Sequence, residues 1–565
     1  MKPRYSLGLD FGTNSMRCLV VRVEDGAEVG SAVEAYERGE AGVLLDRRDP
    51  ELARQHPADY LTALRRAVPA AIEIARQTDR AFHPSAIVGI GVDTTGSTPI
   101  PIDETGSPLA LKEAFADNLA AMAWLWKDHT AVEEAASLTR RAAESRPHYL
   151  AKCGGVYSSE WFFSKIWRCR KVAPEVFAAA HTWVEIADWI PAVLCGGADA
   201  STIRVGICPA GHKAMFHPSW GGYPDRDFLA SLDPGLGGLR DRLPNRAEAV
   251  DRPAGRLAER WAETWGIPAG LPVAVGALDA HLGAVGCGIR PGTLVKIIGT
   301  STCDMMVSPL EQPLPDIPGL CGIVPDSILP GHYGLEAGQS AVGDIFNWYV
   351  QYQRPGGADV GSHEALTERA AGLRPGESGL LALDWNNGNR TVLVDQRLTG
   401  LLMGQTLQTR PEEIYRALME ATAFGARMII GRLEDHGVSA REIVNCGGIA
   451  ERNPLLMQIY ADVTGRPMKV SRSAQTCALG AAICGAVVAG PQAGGYGNFD
   501  EAIAAMTGVK DEVYLPDPAA HGIYDELFDL YRDLHDAFGL AQWKGSLGHV
   551  MKRLIEIRGR VRRLP

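Results

Sequence analysis

The feature that most constrains this chain is a phrase that occurs twice. Leu7-Gly8-Leu9-Asp10 runs as a short apolar strand into a carboxylate. A turn follows at Phe11-Gly12-Thr13-Asn14-Ser15, then Arg17 and the apolar Cys18-Leu19-Val20-Val21. About 290 residues later comes Leu294-Val295-Lys296-Ile297-Ile298-Gly299-Thr300-Ser301-Thr302-Cys303-Asp304. Each phrase reads as a hairpin with a Gly-Thr turn, and each heads one half of the chain. Two such hairpins suit a phosphate clamp with two lobes. Glycine lets the backbone approach a phosphate, and turn amides and hydroxyls can donate to its oxygens.

The chain has 565 residues, too many for one core, and suits two domains of roughly 250 residues each. The net charge of −11 gives a nucleic-acid partner no electrostatic support. The eleven cysteines are scattered, with no C-x-x-C, which predicts reduced thiols in a cytoplasmic protein rather than a disulfide frame or zinc site. Asp10 interrupts the only early apolar run, so no signal peptide is expected. The longest apolar run, 479–490, is too short and too rich in Gly and Ala for a membrane span.

Strands are expected at 7–9, 18–22, 87–92, 273–275 and 294–298. A helix is expected over 59–76, kinked or broken at Pro69. Residues 354–377, rich in Gly, Pro and Glu, read as an insertion or loop. A long helix should start at Pro411 and end near residue 430. Asn453-Pro454 signals another helix start after the strand that ends at Cys446-Gly447-Gly448. Tyr524, Leu527, Phe528, Tyr531, Leu534 and Phe538 form one apolar helical face. Residues 552–563 are basic and read as a solvated final helix. The lobe boundary is placed near Arg290-Pro291-Gly292.

Asp10, at a strand end beside the Gly-Thr turn, can hold Mg²⁺ directly or through water. A capping aspartate in a plain hairpin is the alternative, weakened by the echo at Gly299-Thr300-Ser301. Asp279 follows an apolar strand and opens a helix of small residues. A carboxylate there can take the proton of a hydroxyl attacking a γ-phosphate, or it can simply cap the helix. Gly447-Gly448 suits close approach of an adenosine, or is only a turn. Gly480 stands open between nucleotide packing and close helix packing.

Together these motifs resemble the FGGY family of carbohydrate kinases. Further agreement lies in Gly91-Val92-Asp93-Thr94-Thr95-Gly96-Ser97, Trp126-Lys127-Asp128-His129, Tyr157-Ser158-Ser159-Glu160-Trp161, Ala210-Gly211-His212-Lys213 and Gly334-Leu335-Glu336-Ala337-Gly338-Gln339. The resemblance covers nearly the whole chain. It implies an α/β, two-lobed actin-like ATPase (ribonuclease H-like) fold, with mixed sheets flanked by helices. Residues 1–290 would form a mainly sugar-binding lobe, and 291–565 a mainly ATP-binding lobe with C-terminal helices.

The resemblance also implies roles. Asp279 falls on the general base and Asp10 on the metal-associated carboxylate. Gly12, Thr13, Asn14 and Ser15 fall on the first phosphate loop, with Gly299, Thr300 and Ser301 on the second. Gly447 and Gly448 fall on the adenosine motif. Gly96, Ser97, Lys213, Asp279 and Glu336 fall at the sugar. Gly96-Ser97 replace the Arg-Glu pair of members acting on a small polyol, which leaves room for a five-carbon sugar. Asn14 replaces a Ser or Thr. The implied reaction is ATP- and Mg²⁺-dependent phosphorylation of L-ribulose to L-ribulose 5-phosphate, in L-arabinose catabolism. Another pentulose, D-ribulose or xylulose, is the alternative acceptor. A non-metabolic actin-like ATPase is a more distant reading. The expected partners are the sugar and ATP, with no nucleic acid and no membrane, and with a homodimer admitted.

Overall fold

The computed structural model describes residues 3–197, 199–357 and 361–563. In the first half, strands β1 (Tyr5–Phe11), β2 (Ser15–Arg22), β3 (Glu28–Ala35), β4 (Ile87–Thr94), β5 (Pro253–Arg256), β6 (Pro272–Ala274) and β7 (Ala277–Leu278) form one mixed sheet. Its order is β5-β6-β4-β1-β2-β3, with β7 also on β4. In the second half, β8 (Thr293–Ile298), β9 (Thr302–Pro309), β10 (Gly322–Pro325), β11 (His332–Ala337), β12 (Glu442–Cys446), β13 (Met468–Ser471) and β14 (Val509–Tyr514) form another. Its order is β10-β11-β9-β8-β12-β13-β14.

The two sheets share one plan. Three antiparallel strands are followed by two parallel partners and an antiparallel edge, and the second sheet adds β10 as a fourth antiparallel strand. Only the hairpins are visible as a repeat in the sequence, yet the duplication extends across both sheets. Both expected hairpins form, as β1–β2 and β8–β9.

The helices that matter are α1 (Pro57–Thr78), α2 (Phe162–Val172), α3 (Ile207–Lys213), α4 (Asp279–Gly286), α5 (His363–Ala371), α6 (Pro411–Glu434), α7 (Pro454–Thr464), α8 (Thr476–Ala489), α9 (Pro518–Gly539) and α10 (Val550–Val561). Pro69 does not break α1, which is one helix of 22 residues. Proline frees the Arg65 carbonyl of its helical donor. On the next turn face, the Leu64 carbonyl gains the Trp265 indole N–H at 3.0 Å. The segment 354–377 is not all loop, because Ser362 caps α5 by accepting from the Ala365 N–H. Asn453 caps α7 as expected, through the Leu456 N–H at 3.0 Å.

Helix α10 is not simply solvated. Val550, Leu554, Ile557 and Val561 bury into the second core, and Arg553 and Arg560 both pair with Glu526. The apolar face of α9 packs there too, except that Phe538 is exposed.

Helix α8, from the second half, is wedged against the first sheet and against α4. A Cβ on Gly8 would lie 1.8 Å from the Ala478 carbonyl oxygen, and one on Gly91 1.8 Å from that of Ala481. A Cβ on Gly480 would lie 1.8 Å from the Leu282 carbonyl oxygen. Only glycines permit this approach, so Gly480 serves close packing between helices. A shared core of residues from both halves, among them Leu19, Leu282, Ala478 and Val444, joins the two lobes.

Candidate functional site

Three strand ends bring three carboxylates together. Asp10 on β1 lies in register with Asp93 on β4, and Ala277 on β7 lies in register with Asp93 from its other side. Asp279, two residues on, opens α4. Arg17, across the hairpin from Asp10, contacts it at 3.2 Å. Asp93 is fully buried with its carboxyl set against that of Asp10. Burial, then the charges of Asp10 and Asp279, raise its carboxyl well above the ordinary range. Burial, then Asp10, push Asp279 up to about 7. A carboxylate poised near neutrality can accept a proton in the transition state. Its Oδ1 also accepts from the adjacent Ala280 N–H at 2.7 Å, but the N-cap residue of α4 is Leu278 and no side chain caps that helix.

Asp279 faces a cleft of about 800 Å³ between the lobes. Thr13, Gly96, Lys213, Asp279, Thr300, Ser301 and Glu336 line it together. These residues come from loops and elements spread over more than 300 positions, and the fold gathers them around one space. Lys213 ends α3 and Glu336 lies on β11; Nζ meets Oε1 at 2.8 Å and Oε2 at 2.9 Å. Burial opposes both charges, but each partner more than offsets it: Lys213 stays above the ordinary lysine range and Glu336 well below the carboxylate range. Gly96 has a steric reason, since a Cβ there would lie 2.1 Å from Leu278 Cδ2, just ahead of Asp279.

The other expected residues lie elsewhere. Ser97 is buried and its hydroxyl donates to Glu185, away from the cleft. The Asn14 amide donates to the Ala41 carbonyl at 2.6 Å, so that donor is spent within the protein. Gly12 closes the first turn by donating to the Ser15 carbonyl at 2.9 Å. Gly299 does the same to Ser301, also at 2.9 Å. Gly447 has φ +94° and packs against the end of β8, where a Cβ would lie 2.4 Å from the Ile298 carbonyl oxygen. Gly447-Gly448 therefore sit beside the second hairpin, with Cys446 in register with Ile297.

Several residues that hold the site had no role assigned from sequence. Trp126 Nε1 donates to Thr13 Oγ1 at 3.0 Å, and Gln55 Nε2 to the Thr13 carbonyl at 2.8 Å. Trp126, Tyr157 and Trp161 line the cleft, and the Trp161 ring lies 5.6 Å from Lys213 Nζ. Aromatic residues at Tyr157 and Trp161, within one motif, are the signal that could have found them. Arg390 and His281 also line the cleft, and nothing local marks either. Behind the second hairpin, buried Lys296 joins Asp304 at 2.9 Å and Gln339 at 2.8 Å.

The N-terminal domain model of the FGGY family of carbohydrate kinases matches residues 5–286, and its C-terminal domain model matches residues 294–489. The chain belongs to the FGGY family of carbohydrate kinases. As a member of that family it is a sugar kinase, using ATP and a sugar. It is 43% identical to a ribulokinase of Shouchella clausii (strain KSM-K16), covering 99% of both chains. It is 41% identical to a ribulokinase of Mycolicibacterium smegmatis, covering 99% of this chain and 98% of the relative. A xylulose kinase structure from Rhodospirillum rubrum superposes with TM-score 0.74 at 24% identity, over 94% of this chain and 99% of the other. A Plasmodium falciparum glycerol kinase with ADP gives TM-score 0.75 at 16% identity, over 96% and 99%. These two structures bear out the two-lobed actin-like kinase fold. Among the described residues, no helix is long and apolar enough to cross a membrane.

Proposed function

We propose that this FGGY kinase transfers the γ-phosphoryl group of ATP to the terminal hydroxyl of L-ribulose, giving L-ribulose 5-phosphate in L-arabinose catabolism. The observation that carries the reading is the shared cleft. A carboxylate poised near neutrality, an ion pair of opposite charges and two hydroxyl-bearing turns face one space. The near full-length likeness to ribulokinases supports the choice of acceptor.

In this mechanism the sugar lies mainly against the first lobe. Lys213 donates to a sugar hydroxyl and Glu336 accepts from one, each charge partly shared with the other. Asp279 orients the attacking hydroxyl and takes its proton as the new P–O bond develops. Thr13, Thr300 and Ser301 donate to phosphate oxygens from the two turns. Gly447 and Gly448 admit the adenosine beside the second hairpin.

The carboxylate trio fits a divalent ion. Asp93 is buried with its carboxyl set against that of Asp10, and Arg17 is the cation paired with Asp10. Asp10, with Asp93 and Asp279 beside it, would hold the Mg²⁺ of ATP, which when bound draws charge from the phosphates. The eleven cysteines, all unpaired, support a cytoplasmic setting.

A coupled ADP-release assay tests the reading with L-ribulose, D-ribulose, both xyluloses, ribitol and glycerol. The expected result is the highest kcat/KM with L-ribulose. Preference for a xylulose or D-ribulose moves the acceptor to another pentulose. ADP release that no sugar stimulates overturns the kinase mechanism in favour of an actin-like ATPase.

A further inference from the structure

Beside the Lys213–Glu336 pair lies a cluster that the proposed mechanism does not use. His212 Nδ1 stands 3.2 Å from Glu336 Oε2, and His281 Nε2 stands 3.6 Å from the same oxygen. The two imidazole rings are 4.3 Å apart. Both histidines are 1% exposed. Neither nitrogen of His281 has a hydrogen-bond partner among the described residues, and Nδ1 of His212 is set against the Glu336 carboxylate. Buried polar atoms normally find one, so the two ring nitrogens set against one carboxylate oxygen require an explanation.

The tautomer of His212 sharpens the problem. Ser327 Oγ donates its only proton to the Val324 carbonyl at 3.0 Å. With its proton on that carbonyl, it accepts from His212 Nε2–H, 2.9 Å away. A neutral His212 then presents a bare Nδ1 lone pair to a carboxylate oxygen. Two acceptors at that distance call for a cation between them. Gly322, in register with Glu336, keeps the Nδ1 edge of the ring clear, since a Cβ there would lie 2.1 Å from Nδ1.

We propose that His212 Nδ1, His281 Nε2 and Glu336 Oε2 form a binding site for a borderline-soft divalent cation of the Zn²⁺ class, separate from the carboxylates that suit Mg²⁺. The three ligand atoms lie within 4.8 Å of one another. A tetrahedral centre with bonds of about 2.0–2.1 Å separates neighbouring ligand atoms by roughly 3.3 Å. The observed 3.2 and 3.6 Å bracket that value. Two imidazoles and one carboxylate select zinc, cobalt or nickel over magnesium, which prefers carboxylate and water. Three protein ligands leave a fourth position open. Lys213 is the competing cation, because its ammonium meets both Glu336 oxygens. A metal takes Oε2 and leaves Oε1 to Lys213. Filling the site therefore ties up Glu336, and on the reading that Glu336 holds the sugar, the metal competes with the sugar.

The probe is Co²⁺, added to the chelator-treated full-length protein and followed by absorption. The expected result is a stoichiometric visible d–d band of tetrahedral intensity that Zn²⁺ abolishes and Mg²⁺ does not. No thiolate-to-cobalt charge transfer should accompany it, which separates this site from the cysteines. His212→Gln and His281→Gln should each lose the band while keeping the circular dichroism of the parent. Lys213→Met should tighten Co²⁺ binding by removing the competing charge. No band, or a band unchanged in both histidine variants, overturns the site and leaves a shared proton between His212 and Glu336. L-Ribulose should weaken the band. Persistence of the band under saturating sugar leaves the metal site standing and instead removes Glu336 from the sugar site.

Discussion

Asp279→Asn should separate catalysis from stability, because one buried charge is asked to serve both. The substitution keeps the shape and the oxygen that accepts from the Ala280 N–H but removes the base. A positioned general base contributes about 10²–10⁴-fold, which is about 3–5 kcal/mol of barrier. ADP release with saturating ATP and pentulose should fall by that factor, while ATP affinity holds. In the parent protein the base must be ionised, and its carboxyl titrates at about 7. At about pH 6 only roughly one-eleventh is ionised, so kcat/KM should fall about tenfold from its alkaline plateau. The Asn variant should lack this limb.

The same shift sets the sign for stability. Burial and Asp10 raise the folded carboxyl from 3.8 to about 7. Between those values the folded chain binds more proton than the unfolded chain, so stability falls as pH rises through the window. Above it the penalty is complete, at most about 4 kcal/mol from the size of the shift. Asn carries no such penalty. Thermal unfolding should therefore show Asp279→Asn more stable than the parent at alkaline pH, with the gain vanishing in acid. A variant within tenfold of parental turnover, or one with no alkaline gain in stability, refutes the assignment of a strained base.

Other expectations follow from single contacts. Gly480→Ala would stabilise an ordinary helix by about 1 kcal/mol, yet here its Cβ would meet the Leu282 carbonyl oxygen at 1.8 Å. Thermal unfolding should show a loss of about 3 kcal/mol or more, since backbone cannot step aside as a side chain can. Glu336→Gln leaves buried Lys213 unpaired, costing about 3–5 kcal/mol, and should raise the sugar KM. Adding Lys213→Met to it should restore the unfolding midpoint but not the KM. Trp126→Phe removes the donor to Thr13 Oγ1, worth about 1 kcal/mol. Its unfolding free energy should fall by about that amount, and its kcat/KM by up to about fivefold.

The legible parts of this protein are those whose physics is local. Each hairpin is two adjacent strands around a glycine turn, and α7 carries its own Asn453 cap. Asp279 shows where local reading ends: a cap and a base look alike in sequence, and the structure puts Asp279 inside α4, after Leu278, with burial and Asp10 raising its affinity for a proton. Side-chain direction was out of reach. Ser97 turns to Glu185, 88 residues on, and Asn14 turns to Ala41. Asp93 stood in a motif already singled out, but only the β1–β4 register makes it Asp10's neighbour. The Gly-Pro character of 354–377 masked α5, although Ser362 offered a cap signal.

The duplicated frame explains why the carboxylate trio lies on one lobe. Aligning the turn glycines Gly12 and Gly299 sets Asp10 against Ile297 and Arg17 against Asp304. The registers then set Asp93 against Cys446. The second sheet thus offers an apolar side chain and a thiol where the first offers two carboxylates. Its own charge, Asp304, is buried and bound to Lys296 behind the turn. The second hairpin can donate to a phosphate but cannot hold a cation or take a proton. A clamp built this way meets the anionic nucleotide with donors from the second hairpin and keeps the Asp10, Asp93 and Asp279 carboxylates on the first lobe, while Glu336, which the second sheet adds to the cleft, is paired with Lys213. The wedge of α8 against Gly8, Gly91 and α4 fixes that division, because it anchors a helix of the second half directly beneath the strands that carry Asp10 and Asp93.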